Sequence, residues 1–163
     1  MRATWAPRGQ TPVLRHRFGW KRLSMSGALA CKPDGSQAAL MFQVQEGSCN
    51  TGSLTGFLHD LREHLAGAQV TLIWDGLPAH RSAVMKDWII TQCAWLAVER
   101  LPGYAHDLNP VELAWGNVKA VEPANFCPDT TDQARDAAES GLNRVSASSR
   151  PCFAFLAHTG LFL

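Results

Sequence analysis

Two of the fourteen acids in the sequence stand where their neighbours make them informative. Asp75 follows the apolar run Val70-Thr71-Leu72-Ile73-Trp74 and precedes Gly76, and Glu112 comes three residues after Asn109 in Asn109-Pro110-Val111-Glu112. Carboxylate oxygens are the ligands that hard divalent cations such as magnesium take. Phosphodiester chemistry commonly uses a pair of these cations about 4 Å apart, one activating the attacking oxygen and the other stabilising the leaving one. Each acid also has an ordinary role open to it. Asp75 can start a turn with Gly76, and Glu112 can serve a capping box or interact with a helix N-terminus. His80, five residues after Asp75, is open to capping or packing beside the next helix, and capping is a sufficient role for Asn109.

Periodicity indicates the elements that must position these residues. Arg22 to Leu29 alternates apolar with small or polar positions, and Leu40, Phe42 and Val44 do the same after Lys32-Pro33-Asp34-Gly35-Ser36. That pattern predicts two strands joined by a turn. Leu54, Phe57, Leu58, Leu61 and Leu65 recur with helical spacing, with Thr51 and Ser53 as caps and Gly67 as a stop. Val70 to Trp74 reads as a strand buried on both faces, which puts Asp75 at its carboxyl end, where crevices form in open α/β sheets. A second helix is expected from about Ser82 to Cys93 with Val84, Met85, Trp88, Ile89 and Cys93 buried, and a short strand at Ala97 to Arg100. A third helix starts after Asn109, with Pro110 at its first position and Val111, Trp115 and Val118 on one face. A further helical stretch covers Thr131 to Arg144. The six tryptophans read mostly as core, Trp115 being the exception because it shares the helix of Glu112. The element order predicts a mixed α/β sandwich with helices on the sheet faces.

Composition narrows the class. A chain of 163 residues, 46% apolar, can bury the core of one domain. No apolar stretch nears the roughly 20 residues that span a bilayer, and the arginines of the first 22 residues exclude a signal peptide. The expectation is an intracellular protein without membrane contact. Five widely spaced cysteines, Cys31, Cys49, Cys93, Cys127 and Cys152, read as reduced, mostly buried thiols rather than a zinc site or disulfide framework. The net charge of +1 hides an asymmetry: seven Lys/Arg and no acid precede Asp34, whereas eight bases face all fourteen acids from there on. A basic beginning of this kind attracts a phosphate backbone, and it also describes a solvated hairpin face.

Two segments together carry a resemblance. Val70 to Ser82, V-T-L-I-W-D-G-L-P-A-H-R-S, is similar to the second-aspartate strand of transposases with a DDE (Asp, Asp, Glu) triad. Leu101 to Lys119, L-P-G-Y-A-H-D-L-N-P-V-E-L-A-W-G-N-V-K, resembles the motif around the third acid in bacterial insertion-sequence transposases of the mariner superfamily. The match falls on Leu101, Pro102, Tyr104, Leu108, Asn109, Pro110, Glu112, Trp115 and Lys119, and Ala105-His106 replaces the usual Ser-Pro. Thr4 to Leu14, T-W-A-P-R-G-Q-T-P-V-L, is similar to the segment after the family's first catalytic strand.

The resemblance implies a ribonuclease-H-like α/β fold, a mixed sheet flanked by helices, as one partial catalytic domain over residues 1–163. It implies Asp75 and Glu112 as catalytic metal ligands with 36 residues between them in the chain, holding magnesium or manganese. His80, Asn109, Lys119 and Arg8 would be neighbours of the site or contacts to DNA. The partners implied are transposon ends and target DNA, with a homo-oligomer or an upstream-encoded transposase part, in the bacterial cytoplasm and on the nucleoid when DNA is bound. Only Met1, Arg2 and Ala3 precede Thr4. The first strand with its aspartate, and the helix-turn-helix modules of relatives, are therefore expected to be lost, and activity impaired. The alternative is a non-catalytic DNA- or transposase-binding remnant.

Overall fold

The computed structural model describes residues 8–9, 22–103, 105–122 and 128–160. Strands β1 (Leu23–Cys31) and β2 (Ala38–Glu46) form an antiparallel hairpin with Leu29 opposite Leu40 and Gly27 opposite Phe42. Its turn is tied by Gly35 N–H to Lys32 O at 2.9 Å and by Ser36 N–H to Asp34 Oδ1 at 2.9 Å. Gly35 supplies the positive φ of 71° that the turn requires. The Ser36 bond holds the Asp34 carboxyl below its usual range, so this acid serves the turn, as its sequence position predicts.

Helix α1 (Thr51–His64) follows. Its cap is Asn50, which accepts from Ser53 N–H in a capping box, so the cap lies one residue before the predicted Thr51. β3 (Val70–Trp74) pairs in parallel with β4 (Leu96–Arg100), and α2 (Ala83–Thr91) connects them. Three helices complete the order: α3 (Pro110–Val121), α4 (Thr131–Ser146) and α5 (Ser149–Thr159). The sequence pattern foresaw α3 and α4 but not α5. No helix among the described residues is long and apolar enough to cross a membrane.

The hairpin is the middle layer. Residues of one face, Met25, Leu29, Leu40, Phe42 and Val44, pack with Trp115, Val118, Leu142, Val145, Cys152 and Leu156 from α3, α4 and α5. The opposite face offers Ala28 and Met41 to a second cluster built from Leu54, Leu58 and Leu61 of α1, Trp74 of β3 and Met85 of α2. Alternation along the two strands thus feeds two cores. The result is the mixed α/β arrangement with helices on the sheet faces that the element order predicts, its strands paired among the described residues as two separate pairs.

Three expectations are corrected. β3 is not buried on both faces: Leu72 and Trp74 point into the second cluster, but Thr71 is exposed and Ile73 is 49% exposed. Among the described residues β3 pairs with β4 alone, and this small sheet is covered on one side. On α2, Met85, Trp88 and Ile89 make the buried stripe at i, i+3 and i+4. Val84, rotated off that stripe, is 68% exposed. Cys93 lies beyond the helix end and is exposed, as is Cys31 at the end of β1. Cys152 keeps to the expectation: it is fully buried, and desolvation raises its thiol pKa.

Candidate active site

Asp75 is the first residue after β3, and its carboxylate is held from two sides. Oδ1 accepts from Leu77 N–H at 3.1 Å, a local turn contact of the kind the Asp-Gly sequence suggested. The same oxygen lies 2.9 Å from Nδ1 of His80, which also stands 3.0 Å from the Asp75 carbonyl oxygen. Among the described residues Oδ2 has no donor, and the side chain is 30% exposed. One oxygen is thus committed to the protein and the other is open to solvent.

His80 does not cap the next helix. It sits in a 3-10 turn, Pro78–Arg81, and the cap of α2 is Ser82, whose hydroxyl accepts from Met85 N–H at 3.1 Å. Ser82 also bonds Thr51 at the start of α1 at 3.0 Å, so the turn is moored to both helices. The His80 ring is buried and stacks on Trp74, with centroids 4.2 Å apart and planes 4° from parallel. Sequence spacing flagged His80 but gave no means of seeing this stack, because the turn that folds residue 80 back over residue 74 depends on Pro78 and on the Leu77 O to His80 N–H bond of 3.0 Å.

Glu112 lies in the first turn of α3 and is exposed. Asn109 is the cap, accepting from Val111 N–H at 3.2 Å, and Pro110 occupies the first helical position, as predicted. Among the described residues the Glu112 side chain has no hydrogen bond or ion pair, so the cap does not use it. Lys119 is exposed in the last turn of the same helix. Arg8 and Gly9 are exposed, and the rest of Thr4 to Leu14, together with Tyr104, lies outside the described residues.

Trp115 corrects the expectation that it would stand apart from the core. It is 9% exposed and packs against Gly27 of β1, where an added Cβ would come within 2.6 Å of Cη2. This contact fixes the helix of Glu112 over the hairpin. At the other end of α3, Glu122 pairs with Arg144 of α4 through Nε at 2.7 Å and Nη2 at 3.1 Å, and Arg144 reaches Asn117 at 2.8 Å. The Arg144 contact holds the Glu122 carboxyl below its ordinary range.

Among the described residues the one group of three metal-competent side chains is His59, Asp60 and Glu63, all exposed on α1. Asp75 and Glu112 are not part of it. Asp75 follows a strand of the second core cluster and Glu112 lies in the first turn of a helix of the first; Leu101, which follows β4, donates to Trp74 O at 2.9 Å. The chemistry of each fits a hard cation, since Glu112 is exposed, Asp75 is partly exposed, and among the described residues each has an oxygen free of protein donors.

Comparison with known proteins adds a family. The model described as DDE superfamily endonuclease matches residues 1–132. No curated protein matches the chain. Among solved structures, a chain of the simian T-cell lymphotropic virus intasome, solved in complex with the PP2A regulatory subunit B56 gamma, is 14% identical with a TM-score of 0.48. The alignment covers 86% of this chain and 54% of that one, so this chain spans about half the length of the chain it resembles.

Proposed function

Since the chain belongs to the DDE superfamily endonucleases, we propose that it is a catalytic portion of a ribonuclease-H-like DNA transposase in which Asp75 and Glu112 are the metal-holding acids. The observation that supports this most is the placement of the family motif: Glu112 sits exposed and uncommitted in the first turn of α3, immediately beyond the Asn109 cap and Pro110. Magnesium or manganese held there would polarise the phosphodiester and activate the attacking water or 3′-hydroxyl. Asp75 offers Oδ2 while Leu77 and His80 hold Oδ1. Glu112 offers its carboxylate from a helix start, and Lys119 and Arg8 present positive charge to the DNA backbone. The DNA acted on would be transposon ends and target.

These acids give the centre two carboxylates, so we expect the 163-residue chain to bind the cation weakly and to transfer strands poorly by itself. The test is a manganese titration followed by electron paramagnetic resonance. Asp75→Asn and Glu112→Gln should each weaken binding by about tenfold or more, since each removes an oxygen ligand's charge. Wild-type affinity in both variants, with loss only on substitution of His59 or Glu63, would move the metal to α1 and overturn the assignment.

A further inference from the structure

Resting on that reading of Asp75, we infer that His80 is a positioning residue that fixes which oxygen of Asp75 meets a cation, so that Asp75 presents a single oxygen, Oδ2. The argument begins with the hydrogen on the imidazole. Nδ1 faces two oxygens, Asp75 Oδ1 at 2.9 Å and the Asp75 carbonyl at 3.0 Å. The carbonyl can only accept, and Oδ1 already accepts from Leu77 N–H at 3.1 Å. Nδ1 must therefore carry a hydrogen and donate, because a lone pair there would face acceptors. Two donors then saturate Oδ1 and pin the plane of the carboxylate.

The ring itself is not free to turn away. It is 8% exposed and stacked on Trp74 at 4.2 Å, and its backbone is tied to Leu77 O at 3.0 Å. The neighbouring Ser82 anchors the turn to α1 and α2. Metal sites use this kind of support, in which a donor behind a carboxylate orients it and sharpens affinity, and its loss lowers affinity by about 10–100-fold. Trp74, as the last residue of β3, thereby links strand register to the direction in which Asp75 points.

Two measurements on the full chain test this. Nitrogen-15 NMR of the metal-free protein should find His80 carrying hydrogen on Nδ1, and an imidazole with hydrogen on Nε2 alone would overturn the inference whatever the metal does. Manganese affinity is then compared across three variants. His80→Phe keeps a ring on Trp74 but removes the donor, and it should lose about 10–100-fold in affinity. His80→Asn places an amide nitrogen where Nδ1 stood and should recover most of that loss. Asp75→Asn should bind weakly in any case. Wild-type affinity in His80→Phe beside weak binding in Asp75→Asn would sink the positioning role and leave Asp75 as a ligand, whereas wild-type affinity in Asp75→Asn would sink the metal assignment itself. An asparagine that restores nothing also counts against the donor.

Discussion

An alanine at Gly27 would place its Cβ 2.6 Å from Cη2 and 2.9 Å from Cζ2 of Trp115, inside any real contact distance. Because the indole is packed among α3, β1 and β2 and cannot retreat, Gly27→Ala should destabilise the fold by about 1–3 kcal/mol, read as a lowered thermal midpoint. Thiol chemistry offers a second check at this scale. Burial raises the Cys152 pKa, leaving little thiolate, so iodoacetamide mapping at pH 8 should modify the exposed Cys93 well before Cys152. At the level of single residues the sequence was a good guide to identity and a poor one to surroundings. Asp75, Glu112 and Asn109 occupy their expected places at a strand end, in a helix first turn and at a cap. The stack of His80 on Trp74 and the burial of Trp115 depend on tertiary contacts that no spacing rule encodes.

Among the elements, α3 is held at both ends. Asn109→Ala should remove the bond to Val111 N–H and lower stability by about 1 kcal/mol, with hydrogen exchange in the first turn of α3 rising most. At the far end the Glu122–Arg144 pair makes stability depend on acid. The folded Glu122 pKa is lowered by Arg144, so its contribution is complete above the ordinary glutamate pKa of about 4.3. It fades as pH falls from there through the folded value. Glu122→Gln should therefore lower stability at neutral pH, where the pair's contribution is complete, and flatten the acid limb of the stability profile below about pH 4.3. Gly141 sits where a Cβ would meet Glu122 Oε2 at 2.5 Å, which explains a glycine inside α4 where alanine would favour the helix. Helices with strong apolar periods were legible: α1 and α3 start within one residue of expectation. α5 was missed because Ser149–Thr159 has a proline at its third position and an unbroken apolar run, Cys152 to Ala157, that shows no helical period, and its helix is completed by packing Cys152 and Leu156 against the hairpin.

Across the whole molecule, the hairpin divides two cores, one beside Asp75 at the end of β3 and the other beneath the helix of Glu112. Leu142→Ala, at a position with no exposure in the cluster under α3, should lower stability by about 2–5 kcal/mol, measurable by urea unfolding. The overall class was readable from element order, since strand, strand, helix, strand, helix, strand, helix is present as predicted. The split of the strands into two pairs and the bare face of β3 were not, because an apolar run looks the same whether one side or both are covered. The Trp115 contact has one more implication. A tryptophan inside a family motif invites the assumption that it touches the nucleic acid, yet this indole is the keel beneath the Glu112 helix. A Trp115 substitution that altered the behaviour of Glu112 would report a displaced helix, and a loss traced there would be evidence about architecture before it was evidence about chemistry.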